Sequence, residues 1–184
     1  DVQGAILLPL LFQVGFGMSA ATAGQIVIAT AIGSMAMKPL SGPVFRRLGF
    51  RNSLVLNGLL GTLGYGLCAA FSPEWPVSVM FAVLTLSAFF LSFQFMAYNT
   101  IAYDEISHER MSSATSFYTT FQQLMLSLGI CIGALALHGS MTISGSEQPK
   151  LHDFSTAFIV VTIISLAATI WNLRFAPNAG SEIS

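Results

Sequence analysis

The stretch Gly42-Pro43-Val44-Phe45-Arg46-Arg47-Leu48-Gly49-Phe50-Arg51 separates two long apolar runs and holds three arginines within six positions. Arginine is costly at the centre of a lipid bilayer, so such a stretch belongs at a membrane face. A membrane setting fits the whole chain, because only 8% of its 184 residues are charged and its mean hydropathy is +0.73. Soluble domains carry about 25% charged residues. We therefore interpret the stretch as a short basic turn between two membrane spans.

Charged residues divide the rest of the chain into long apolar segments. Each segment can hold a helix of about 20 residues, the length that crosses about 30 Å of hydrocarbon, and the first segment can hold two. The sequence thus predicts an all-α integral membrane protein built as a six-helix bundle. The predicted spans lie at about 1–16, 22–45, 52–71, 77–100, 112–137 and 154–175, with a polar loop from 138 to 153 between the last two.

Lysine and arginine are unevenly divided between the two faces that six spans define. One face carries Lys38, Arg46, Arg47, Arg51, Arg110 and Arg174, and the other carries Lys150. Because cytoplasmic loops are enriched in Lys and Arg, we expect loop 46–51 and the C-terminus to be cytoplasmic. The net charge of −1 gives no attraction to nucleic acid, which is not expected as a partner.

The fifth span carries a polar stripe, because Ser112, Ser116, Thr119, Gln123 and Ser127 recur at helical spacing. Two interpretations remain open at this point. The stripe forms polar contacts between packed helices, or it forms one wall of a water-filled path.

The fourth span combines amides with aromatic side chains, a mixture that suits a pocket for large, partly apolar molecules. Packing of the aromatic rings against lipid or other helices is the alternative. Gln13, near the outer end of the first span, is a further polar position. The candidate substrate-path residues are Gln13, Gln94, Tyr98, Asn99, Ser116, Thr119 and Gln123.

Two other spans have simpler patterns. In the third span Gly58, Gly61 and Gly64 recur every three residues, which tight helix packing explains without a ligand. The sixth span has no glycine and few polar atoms, so we expect it to face lipid.

No pattern for catalysis or metal binding is present. The motifs HExxH, GxSxG and GxxxxGK[ST] are absent, and Cys68 and Cys131 lie in apolar runs without a CxxC pattern. We expect no enzyme activity, no metal and no cofactor. Asp1 would lie about 24 Å from the outer turn at Gly17, inside the bilayer. It is either a functional intramembrane acid or simply a residue near the cut end of the chain.

The basic turn resembles the loop of the major facilitator superfamily that reads Gly-x-x-x-Asp-Arg-x-Gly followed by two basic residues. Gly42, Arg46, Gly49 and Arg51 match this motif, whereas Phe45 stands in place of the Asp. The segments 8–24, 99–100 and 114–129 are similar to the carboxyl-terminal half of the fourteen-span drug:proton antiporters.

The resemblance implies that residues 1–184 form the second six-helix bundle of a transporter, with a truncated first span and an absent first half of six to eight helices. Spans one, two, four and five would line a central cavity, and spans three and six would lie outside it. The implied function is proton-coupled export of amphipathic drugs by alternating access in the bacterial plasma (inner) membrane. The partners would be the bilayer, the absent half, an amphipathic substrate and protons. An importer of a small metabolite and a non-transporting membrane scaffold are the alternatives. Phe45 argues against a charge-paired gate at this loop.

Overall fold

The computed structural model describes residues 7–104 and 110–171, without the side chains at 46, 50, 101, 103 and 104. All regular elements in these ranges are helical. Short 3₁₀ segments extend two of the helices, at Lys38–Leu40 and Leu67–Ala70. The helices are α1 (Leu8–Leu10, continued by a π-helix at Leu11–Gly15), α2 (Ala20–Met37), α3 (Ser41–Leu48), α4 (Phe50–Gly66), α5 (Val77–Asp104), α6 (Met111–Ser144) and α7 (Leu151–Trp171).

Five helical segments of the described part are long and apolar enough to cross a membrane. They cover Ala20–Phe45, Arg51–Ala70, Val77–Thr100, Met111–Ser144 and Leu151–Trp171. The prediction of an all-α, multi-pass membrane protein is therefore confirmed. The first predicted span begins in residues 1–6, which lie outside the described residues, and its described part is α1 with the π-helix.

The predicted turn at Gly42–Arg51 is wrong, because most of it is helix. Ser41–Leu48 forms α3, and the helix is interrupted only at Gly49 before α4 begins at Phe50. Gly49 has φ 72° and ψ 161°, a conformation that is essentially confined to glycine. Pro43 is tolerated because it lies in the first turn of α3, where an N–H has no intrahelical acceptor. The basic stretch is thus a short helix with a glycine break.

The predicted polar loop at 138–153 is also too long. α6 continues to Ser144 and ends at Gly145 (φ 64°), so His138 is helical, and α7 already begins at Leu151. The hydroxyls of Thr142 and Ser144 donate to the carbonyls one turn earlier, and this lets a polar segment remain helical.

Glycines bring the central helices close together. α5 packs between α2 and α4, and α7 packs between α4 and α6. A Cβ atom on Gly33 of α2 would lie 2.1 Å from the carbonyl oxygen of Thr85 on α5. A Cβ on Gly61 would lie 2.7 Å from Leu91, and one on Gly64 would lie 2.2 Å from Ser87 Oγ. The prediction that the α4 glycines serve tight packing is confirmed.

The expectation that the sixth span faces lipid is wrong for one side of α7, and for the other side it stays a prediction. Residues of one face are buried against α4 and α6, and those of the other are exposed. The largely apolar sequence does not reveal this division, because β-branched and aromatic side chains suit both surroundings. The buried set includes Phe154, Ala157, Phe158, Thr162 and Thr169, and the exposed set includes Ile159, Ile163, Ile164, Ile170 and Trp171.

Candidate functional site

A cleft with a volume of about 980 Å³ opens between α2, α4, α5, α6 and α7. Its polar lining consists of hydroxyls and amides, and among the residues that the structure describes none of those lining the cleft is charged. Apolar side chains, among them Phe95, Met125 and Leu126, cover the rest of the wall. The polar lining residues are Thr30, Ser34, Thr62, Ser92, Gln94, Tyr98, Gln122, Gln123 and Ser165.

The hydroxyls between α2 and α5 are occupied by helix contacts. Ser92 Oγ of α5 donates to Ser34 Oγ of α2 at 2.7 Å. Ser34 Oγ donates in turn to the Thr30 carbonyl at 2.8 Å, and Thr30 Oγ1 donates to the Val27 carbonyl at 2.7 Å. The side chains of this wall are therefore held by hydrogen bonds within and between α2 and α5, and few of their hydroxyl groups are free to donate to a ligand.

Gln94 lies at the junction of α4, α5 and α7. Its Nε2 donates to the hydroxyl of Tyr98, one turn along α5, at 3.3 Å. The residue is only 9% exposed, although it also lines the cleft. Gly58 of α4 provides the room for the amide, since a Cβ there would lie 2.6 Å from Nε2.

The glutamine side chains on the α6 side of the cleft are not held by hydrogen bonds to any residue that the structure describes. Gln122 is half-buried and Gln123 is exposed, and neither amide is hydrogen-bonded within the described part of the chain. Both amides are free to donate to and accept from a bound molecule. The cleft can hold an uncharged or weakly polar ligand with apolar groups, bound by amides from α5 and α6.

Residues 3–183 match the sequence profile of the Major Facilitator Superfamily. The chain belongs to the Major Facilitator Superfamily. This membership places it with membrane transporters and not with enzymes, as the absence of catalytic motifs predicts.

Three similar relatives carry a provisional assignment as multidrug resistance protein MdtD. The protein of Serratia proteamaculans is 35% identical over 155 residues, which is 80% of this chain and 31% of that protein. Those of Klebsiella pneumoniae and Yersinia pestis are each 30% identical over 184 residues, 96% of this chain and 38% of each relative. The chain thus spans about a third of the length of these relatives. No solved structure matches the chain at a significant level.

The structure brings three of the predicted substrate-path residues together. Gln94, Tyr98 and Gln123 line the cleft from α5 and α6. The role of these residues stays a prediction.

The other predicted positions lie elsewhere. Asn99 donates to the Phe95 carbonyl of its own helix at 2.8 Å. Ser116 donates to the Ser112 carbonyl at 3.0 Å, and Thr119 is exposed on α6 outside the cleft. Gln13 is exposed in the π-helix. Asp1 lies outside the described residues.

Some lining residues were not predicted from the sequence. Thr62 and Ser165 belong to α4 and α7, the two helices that the resemblance placed outside the cavity. The cleft of this chain is therefore lined by α4 and α7 as well, and the predicted division of the spans around a central cavity stays a prediction. Thr62 lies four residues after Gly58, on the glycine face of α4, and this spacing was the available signal. Ser92 and Gln122 also line the cleft, next to predicted residues.

The superfamily loop motif lies at the ends of α3 and α4. Gly42 is in the first turn of α3, Gly49 is the helix break, and Arg51 is in the first turn of α4. The side chain of Arg46 lies outside the described part. Phe45, in the place of the motif's aspartate, contacts Phe93 of α5 with ring centroids 4.7 Å apart. An aromatic contact thus stands where the motif has a carboxylate.

The described residues contain no group of three or more His, Cys, Asp or Glu side chains that could hold a metal ion. Cys68 is buried and Cys131 is exposed, and neither forms a disulfide.

Proposed function

We propose that the chain is the carboxyl-terminal six-helix half of a secondary transporter that exports amphipathic drugs in exchange for protons by alternating access. The uncharged cleft of about 980 Å³ carries this proposal. Pockets for drug-sized ligands measure about 300–1,000 Å³ and combine an apolar lining with a few polar groups. The glutamine amides beside Phe95 and Met125 supply that combination.

The relatives support both the substrate class and the domain assignment. Their names refer to multidrug resistance, and the chain aligns with only 31% to 38% of their length. We propose that an amino-terminal half of six to eight helices completes the cavity, as in the fourteen-span drug:proton antiporters, and that the first span of this chain is truncated. The bilayer, the substrate and protons are the other proposed partners.

The proposed location is the bacterial plasma membrane, with the basic face in the cytoplasm. Consecutive spanning helices alternate in direction, so the α3–α4 break and the α5–α6 connection share a face. Arg47 and Arg51 lie at the former and Arg110 at the latter, whereas Lys150 lies between α6 and α7 on the opposite face. This distribution follows the positive-inside rule and supports a cytoplasmic loop 46–51 and C-terminus.

Dye efflux from cells tests the proposal. The full-length protein is produced in bacteria that lack their own efflux pumps, and several fluorescent lipophilic cations are supplied. We expect less cell-associated dye than in cells with an empty vector, and an uncoupler should abolish the difference. Equal dye levels in both strains, with and without the uncoupler, would overturn drug export. The alternative functions, import of a small metabolite and a non-transporting membrane scaffold, would then remain.

A further inference from the structure

We propose that Gly58, which does not line the cleft, determines how large a substrate the cleft accepts, because it provides the space that holds the Gln94 amide back. This inference rests on the proposed function, since it concerns the selectivity of the same cleft. Gly58 is a positioning residue in this view, and it acts through Gln94.

The space beside Gly58 is filled from two sides. A Cβ atom on Gly58 would lie 2.6 Å from Gln94 Nε2, 3.0 Å from Gln94 Cδ and 2.8 Å from Thr169 Cγ2. Real Cβ atoms essentially never approach other atoms closer than 3.0 Å, so one of these neighbours must move when a methyl group is added.

Thr169 of α7 is not free to move. It is 2% exposed, and its hydroxyl donates to the Ser165 carbonyl at 2.9 Å. Its side chain is β-branched and therefore stiff at χ1. A displacement of Thr169 would require a shift of α7 as a whole.

Gln94 is the neighbour that yields. Its amide is the far end of a flexible side chain, and within the described residues its one hydrogen bond is the long 3.3 Å contact to Tyr98. α4 and α7 block one side of the amide and the open cleft lies on the other. A methyl group at position 58 therefore drives the amide into the cleft and reduces the volume open to a substrate.

Gly64 and Gly66 of α4 provide matched controls, whereas Gly61 does not, because its neighbour Leu91 lines the cleft. A Cβ on Gly64 would lie 2.2 Å from Ser87 Oγ on α5, so a methyl group there overpacks the same pair of helices. Ser87 is buried, donates to the Val83 carbonyl and does not line the cleft. A Cβ on Gly66 would lie 3.0 Å from Thr162 of α7, which is likewise outside the cleft lining. Neither substitution moves a group into the cleft.

The experiment measures transport of a small and a bulky amphipathic amine in membrane vesicles that contain the full-length protein. The variants are Gly58→Ala, Gln94→Ala, the double variant, and the controls Gly64→Ala and Gly66→Ala. For Gly58→Ala we expect the KM of the bulky amine to rise about fivefold relative to that of the small amine, with kcat little changed. The double variant should return to the KM ratio of Gln94→Ala alone, because the smaller side chain leaves room for the methyl group.

Equal KM changes for both amines in Gly58→Ala, or the same change in Gly64→Ala, would overturn the inference. Failure of the wild-type protein to transport either amine would instead refute the proposed function. A cryo-EM structure of the full-length Gly58→Ala variant tests the inference in that case as well. An amide displaced toward the cleft supports the role of Gly58 in positioning Gln94, and an amide in its original place refutes it.

Discussion

Ser140 of α6 donates a hydrogen bond to Oδ1 of Asp153 in the first turn of α7, with the two oxygens 2.5 Å apart. The Asp153 side chain is fully buried, and it also accepts from Ser144 Oγ at 3.3 Å and from the Lys150 N–H at 2.9 Å. His152 Nε2 lies 3.0 Å from the same carboxylate. Because α6 packs chiefly against α7, this cluster anchors the end of α6 that faces away from the basic side.

Removal of this carboxylate should loosen the end of α6. We expect Asp153→Ala to lower the free energy of unfolding by about 2–4 kcal/mol. This is less than three hydrogen bonds to a charged group at about 1.5–3 kcal/mol each, because the exposed Ser144 and Lys150 can bond to water instead. Thermal unfolding of the purified full-length protein in detergent measures this. Asp153→Asn should lose less, because an amide keeps part of the hydrogen bonding. Glu147→Ala is the control, since Glu147 is exposed. An equal loss in Glu147→Ala would contradict the assignment.

The close approach of α2 and α5 predicts that Gly33→Ala is severely destabilising. Its Cβ would lie 2.1 Å from the Thr85 carbonyl oxygen, and backbone atoms can yield only if the helices separate. We expect little folded protein in the membrane, as measured by immunoblot and by size-exclusion chromatography in detergent. Gly24→Ala in the same helix has no atom within 4 Å of the added Cβ. It should be neutral or more stable by up to about 1 kcal/mol, because alanine favours helix. Similar abundance of the two variants would argue against the tight α2–α5 contact.

The interruption of the helix at Gly49, between α3 and α4, predicts that alanine substitutions at Gly49 and at Gly42 differ in their effect on stability. Gly49 has φ 72° and ψ 161°, and a non-glycine residue in this region costs about 1–3 kcal/mol. Gly49→Ala should therefore lower the melting temperature of the full-length protein, whereas Gly42→Ala should not, since a Cβ at Gly42 meets open space. If the two variants have the same melting temperature, the backbone conformation at position 49 does not require glycine.

Gln123→Ala should change substrate preference more than protein abundance. The amide faces the cleft from the α6 side and has no hydrogen-bond partner in the described structure, so its loss costs little stability. Efflux of several dyes, normalised to protein level by immunoblot, provides the measurement. Ser127→Ala is a suitable control, because Ser127 lies one turn further along α6, outside the cleft, and donates to the Gln123 carbonyl. A parallel fall of efflux and abundance in Gln123→Ala would assign Gln123 to packing.

The helices were predictable from sequence because apolar segments of bilayer length leave few alternatives. The ends of helices were harder to predict. The arginines near Gly49 indicated a turn, yet a short helix at a membrane face can carry them in water. The hydroxyls of Thr142 and Ser144 suggested a loop, but they bond back to their own helix.

The cleft was predictable only in part, because it depends on how the helices cross. The polar stripe of α6 includes Ser116, Thr119 and Gln123, and only Gln123 of these three lines the cleft. α6 has 34 residues, so it is about 51 Å long at 1.5 Å per residue, longer than the hydrocarbon core. A stripe along such a helix extends beyond any single cavity. Thr62 and Ser165 line the cleft because α4 and α7 reach it between their neighbours, which the periodicity of a single helix does not show.

The absence of charge from the described lining of the cleft has an electrical consequence for a transport cycle. Moving one elementary charge across a membrane potential of 100 mV involves about 2.3 kcal/mol. In the proposed alternating-access cycle, reorientation of this wall from one side of the membrane to the other carries no such charge, so the membrane potential performs no work on the described lining. Any voltage dependence of transport then comes from the cargo and from ionisable groups outside this wall. Substrates of different charge should consequently differ in how steeply their export responds to the membrane potential.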